Sequence, residues 1–120
     1  MATASGHTNA ILASRVSGTK VRDSAGNHIG EIKDVVLDKT SNNVMFAIVG
    51  FGGVLGVGEK YHPLPWAELD YDPEQHCYVI SRSKDQLETA PADSIDALTA
   101  YDGMVYRDRA YDYYKTPRYW

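Results

Sequence analysis

Glu31, Asp34 and Asp38 place three carboxylates within one short stretch of this chain. Asp34 and Asp38 are four positions apart, so in a strand with period-two alternation they face the same side. Such a pair could hold a cation or relay a proton. A calcium site needs about six or more oxygen ligands, and no recognisable loop here supplies them. A solvated or ion-paired strand face, with Lys33, Lys39 or Lys60 near, is the plainer reading. His62 is the third candidate for a metal- or small-molecule-responsive centre, but it lies between Tyr61 and Pro63, where a hydrogen-bonded structural histidine is expected. His7, His28, His62 and His76 contain no ligand-spaced pair.

The segment from Phe51 to Lys60 invites a phosphate-loop reading, because Gly53 and Gly58 have the required separation. The motif then needs Lys directly after the second glycine, followed by Ser or Thr. Here Glu59 intervenes and Tyr61 follows Lys60. Leu55 likewise occupies the place of the third glycine in a dinucleotide motif starting at Gly50. The segment is therefore read as a glycine-directed connection between strands, offering Val54, Leu55 and Val57 to a partner. No nucleophile-elbow pattern accompanies the serines. Cys77, beside Tyr78 and Val79, reads as a core residue rather than a nucleophile. No catalytic, cofactor or metal set is assigned, and the chain is expected to be non-enzymatic.

The elements that would carry these residues are mainly β. Residues 20–22 form a short strand, and residues 23–27 a turn with Gly26 in a left-handed position. Residues 29–37 form a second strand whose apolar positions do not alternate cleanly: Ile29, Val35 and Leu37 share one face, Ile32 and Val36 the other. A bulge would reconcile them. Residues 44–51 are apolar on both faces, so either both are buried in one subunit or one meets another chain. Residues 60–64 and 77–81 add strands, the former at an edge because of Pro63 and Pro65. Residues 70–75 read as a turn. Ser83 and Gln86 have the spacing of a capping box, Leu87 would dock that short helix, and Pro91 stops it. Trp66 reads as a plug of the sheet's interior.

Residues 1–10 are expected to be a disordered arm. Residues 92–120 differ in character: a short helix over 94–101, then a tail holding many of the chain's nine tyrosines. Tyr101, Tyr106 and Tyr111 recur every five residues, which is neither a helical nor a strand period. Tyr106, Tyr111, Tyr113, Tyr114 and Trp120, interleaved with arginines, have the composition of an interface.

The chain has 120 residues, a net charge of -4 and a single cysteine. That size supports one domain. The charge argues against direct nucleic-acid binding. Cys77 can form no internal disulfide, and a reducing, cytoplasmic setting follows. No apolar run reaches the ~20 residues of a membrane helix, and the first residues have no secretory-signal pattern.

Taken in order, residues 30–38 (Gly-Glu-Ile-Lys-Asp-Val-Val-Leu-Asp), residues 51–60 (Phe-Gly-Gly-Val-Leu-Gly-Val-Gly-Glu-Lys), Pro65-Trp66, and residues 86–91 (Gln-Leu-Glu-Thr-Ala-Pro) resemble the PRC-barrel family. That family is named for the cytoplasmic domain of a photosynthetic reaction-centre protein and recurs in the ribosome maturation factor. The resemblance spans residues 11–91 and leaves 92–120 as an extension. It implies a small, strongly bent antiparallel β-barrel of about six strands. The chain lacks the membrane helix of the first relative and the N-terminal barrel of the second, so neither role transfers to named residues. The expected function is a protein-interaction (adaptor) module, homodimeric, with no membrane insertion. The alternatives are an accessory role in RNA metabolism or ribosome maturation through a protein partner, and the metal- or small-molecule-responsive module described above.

Overall fold

The computed structural model describes residues 10–51 and 60–120. The arm expected over 1–10, apart from Ala10, and the glycine segment 52–59 lie outside the described residues. Six strands form one curled half-barrel sheet: β1 (Lys20–Asp23), β2 (His28–Asp38), β3 (Asn43–Phe51), β4 (His62–Leu64), β5 (Leu69–Asp72) and β6 (Cys77–Ile80), in the order β4-β3-β2-β1-β6-β5. The pairings are antiparallel except β1 with β6, which run parallel.

The long β2–β3 hairpin carries the bend. Ile32 pairs with Val49 and Asp34 with Ile48, so Lys33 is an extra residue on β2; Val36 pairs with Phe46 and Leu37 with Val44, so Met45 is extra on β3. These bulges increase the local twist and reset the alternation. Ile29, Ile32 and Val35 therefore reach one apolar cluster and Val36 another, while Leu37 is exposed. The faces expected from strict alternation are corrected accordingly. At Gly30 the strands approach so closely that a Cβ would lie 2.0 Å from the Gly50 carbonyl oxygen.

Residues 70–72, expected to belong to a turn over 70–75, lie instead in β5, because Leu69 finds Ile80 and Tyr71 finds Tyr78 across the pair with ring centroids 5.0 Å apart. Cross-strand partners outweigh the turn-like composition there. Short helices follow: α1 (Ala13–Val16), α2 (Lys84–Glu88) and α3 (Ile95–Thr99). The capping box of α2 is present, with the Ser83 hydroxyl accepting from the Gln86 amide and the Gln86 side chain accepting from the Ser83 amide. Ser94 caps α3 through the Ala97 amide.

The larger surprise is α4 (Met104–Tyr114). Its buried residues are Arg107, Ala110, Tyr111 and Tyr114, a helical i, i+3, i+4, i+7 stripe. The stripe is written in Arg, Ala and Tyr rather than Leu or Ile, so hydrophobicity along the sequence does not display it.

Strand β3 separates two cores. Ala47 and Val49 face the interior of the curl with Val21, Ile32, Leu64, Ile80 and Leu87. Phe46 and Ile48 face outward with Met45 and are covered by Leu98, Ile95, Tyr61 and Tyr106. Burying each large side chain contributes roughly 1.5–3 kcal/mol, which is why neither face stays wet. Of the two outcomes expected for residues 44–51, the one seen in this chain is burial of both faces within a single subunit.

Candidate interaction surface

The C-terminal segment is tied to the sheet at several points. Its path starts beside the edge strand β4, where Tyr61 and Asp93 exchange backbone hydrogen bonds of 2.8 and 3.0 Å. This covers part of an edge that would otherwise offer unpaired groups. Tyr106 donates its hydroxyl proton to Asp93, and the Arg109 guanidinium lies 5.0 Å from the Tyr106 ring centre. The Tyr106 bond holds the Asp93 carboxyl below its ordinary range, and the same bond raises the tyrosine hydroxyl.

Tyr111 is buried, and its hydroxyl donates to the carbonyl oxygen of Met45, the bulge residue of β3, at 3.0 Å. Burial pushes that hydroxyl up to about 12. Tyr114 is buried in the interior cluster, its hydroxyl has no hydrogen-bond partner among the described residues, and burial raises its pKa. Its backbone oxygen accepts from Arg82, which also pairs with Glu68 at 2.6 Å; Glu68 in turn accepts from Thr116 at 3.0 Å. Tyr113 lies nearer the surface and donates to the Gln86 carbonyl of α2.

The chain ends in an aromatic cluster. Trp120 sits under the Arg107 guanidinium at 3.8 Å and near that of Arg118 at 5.1 Å, with Tyr111 and Tyr119 edge-on at 4.8 and 5.0 Å. Tyr119 donates to Asp38 at 2.7 Å, and Thr40 donates to the other carboxylate oxygen at 2.7 Å. The Tyr119 bond, then those from Thr40, hold the Asp38 carboxyl well below the usual carboxylate range.

Of the residues offered to a partner on sequence grounds, Tyr111 and Tyr114 are enclosed by their own chain, Tyr106 is half-buried, and Tyr113 and Trp120 are partly exposed. Val54, Leu55 and Val57 lie outside the described residues. Asp34 and Asp38 have separate partners, because the Asp34 carboxylate accepts from the Val35 amide at 2.8 Å while Asp38 serves the turn and Tyr119. His62 donates through Nδ1 to the Pro91 carbonyl at 3.0 Å, which fixes its tautomer, and burial lowers its pKa. Among the described residues no three of His, Cys, Asp and Glu group as metal ligands. Cys77 is buried, and Trp66 packs half-buried against the interior cluster with its ring 5.3 Å from Tyr78.

One group of exposed apolar residues, beside others such as Leu12 and Leu37, was missed in the sequence. Tyr101 is 82% exposed, Met104 49% and Val105 41%, all at the entry to α4. Asp102, Asp108 and Arg109 are their charged neighbours in the chain. The signal was available in part: Val105 lies on the side of the helix opposite the 107, 110, 111, 114 stripe, whereas Met104, three before Arg107 and seven before Tyr111, keeps its period and is exposed only because it stands at the helix entry. That stripe has to be recognised first.

No curated protein matches the chain. The family model for the PRC-barrel domain matches residues 8–87, which contain all six strands and most of α2. With two-thirds of its length matched and the expected curled sheet in place, the chain belongs to the PRC-barrel domain family.

Proposed function

We propose that the chain is a non-catalytic protein-interaction module of the PRC-barrel type, acting as a homodimer in the cytoplasm. The observation that carries this reading is the apolar surface at Tyr101, Met104 and Val105. Clustered exposed apolar residues with charged neighbours have the composition of a contact site. A second copy is the partner proposed because one patch can serve both sides of a two-fold contact. The unpaired thiol of Cys77 fits a reducing compartment.

Light scattering from low to high micromolar concentration tests the proposal. The expected mass rises from the 13.3 kDa chain toward twice that value. Val105→Glu, which puts a charge into the patch without touching either core cluster, should hold the protein at the single-chain mass. A wild-type chain that stays monomeric at high micromolar concentration overturns the homodimer.

A further inference from the structure

We propose that the dimer forms by exchange of residues 104–120, the α4 segment of each copy supplying Tyr106 and Tyr111 to the Met45, Phe46 and Ile48 face of the other; this rests on the homodimer reading above. The joint between α3 and α4 is strained. Tyr101, Asp102 and Gly103 follow one another with φ of 53°, 59° and 74°, all left-handed. Glycine accepts that region freely, whereas tyrosine and aspartate are strained there. A Cβ at Gly103 would lie 2.8 Å from the Met45 sulfur, so that flexible side chain would have to shift.

The same residues have a less strained alternative. No proline lies between Ser94 and Tyr114. If residues 100–103 turn helical, α3 and α4 become one helix beginning at the Ser94 cap, about 30 Å long at 1.5 Å per residue. A straight helix carries α4 away from its own β3. Leu98 and Ile95 stay in place, and the sites left by Tyr106, Tyr111 and Tyr114 then need another occupant. The matching segment of a second copy brings identical groups: Tyr111 for the Met45 carbonyl, Tyr119 for Asp38, and the Tyr114 carbonyl for Arg82. Closed and exchanged forms thus share these contacts and differ mainly at the joint, the condition under which identical elements exchange between protomers.

The position of the exposed apolar residues supplies an independent reason. Tyr101, Met104 and Val105 all belong to the joint or the first turn after it. In an exchanged pair the two joints lie side by side about the two-fold axis, and these side chains gain cover there.

Two substitutions in the full-length chain should act in opposite directions. Gly103→Ala is strained at a φ of 74° in the closed form and favours a continuous helix, so it should strengthen dimerisation about tenfold or more, two joints changing per dimer. Asp102→Gly relieves the left-handed strain and weakens the continuous helix, so it should weaken dimerisation by a similar factor. The exchange itself is read from dimers of mixed isotope labelling, in which nuclear Overhauser contacts between Tyr111 and Met45 should connect different chains. Dimers whose Tyr111–Met45 contacts are wholly intrachain, or whose stability moves the same way or not at all in both variants, overturn the exchange while leaving the homodimer standing. A chain that remains monomeric even as Gly103→Ala overturns both.

Discussion

The two faces of β3 are equally apolar yet closed by different parts of the chain. The inner face, with Ala47 and Val49, is covered by strands and helices that lie mostly within residues 8–87, the extent of the family match. The outer face, with Phe46 and Ile48, is covered by Leu98, Ile95 and Tyr106, which lie beyond it, together with Tyr61 and Val36. The inner core follows from the barrel itself. The outer core depends on a segment that lies beyond the family match. A two-sided apolar strand therefore does not by itself imply a partner protein, because one polypeptide can supply both covers.

The sharpest way to break that contrast is to delete residues 92–120. The deletion uncovers Met45, Phe46 and Ile48 and removes Tyr114 from the inner cluster. With several large side chains each contributing roughly 1.5–3 kcal/mol, the loss matches the whole stability of a small domain. The expected product is insoluble or lacks a cooperative thermal transition; a shortened chain that melts like the parent would show the segment to be dispensable.

A smaller effect separates the faces residue by residue. Phe46→Ala, in the outer core, should cost about 3–5 kcal/mol in chemical denaturation. A loss under about 1 kcal/mol would mean that the outer face contributes little, whatever its burial.

Two buried tyrosines give the finer contrast. Tyr111→Phe removes the donor to the Met45 carbonyl and should cost about 1–2 kcal/mol. Tyr114→Phe removes a buried hydroxyl that has no partner among the described residues, so it should be neutral or stabilising. Equal losses in both would contradict the hydrogen-bond assignments.

The smallest effects concern acid. His62 has a lowered folded pKa, so its contribution is complete above the ordinary histidine value of about 6.5 and declines as pH falls through that value toward the folded one. Asp38 is also lowered, so its contribution is complete above the ordinary carboxylate value near 4 and declines only below it. The fold should first weaken at the His62 edge, and the Asp38–Tyr119 tie should yield at more acid pH. Melting curves of the parent and of His62→Gln across this range check the order; the variant should lose the upper step alone.

Much of the inner barrel was legible in the sequence. The Gly26 turn, the capping box of Ser83 and Gln86, and the unbroken apolar run 44–51 rest on local chemistry that a sequence displays. Strand β5 was not, because Asp70 and Asp72 suit a turn until Tyr78 and Ile80 are known to lie alongside. The faces of β2 were misread because an extra residue at Lys33 shifts the alternation, and bulges have no fixed sequence mark. Helix α4 was hidden for a different reason. Its buried stripe uses Tyr111 and Tyr114 for area and a Trp120-capped Arg107 for the remainder, so apolar periodicity is absent. The tyrosines whose composition is that of an interface include two, Tyr111 and Tyr114, that are enclosed by their own chain, and a further group of exposed apolar residues lies earlier, at 101–105.

Native-state hydrogen exchange of the full chain tests the outer cover most directly. If residues 92–120 are an integral layer, the amides of Ala110, Tyr111 and Tyr114 in α4 should open with the same free energy as those of Phe46 and Ile48 in β3. Amides of α4 that exchange at unprotected rates while β3 stays closed would contradict it.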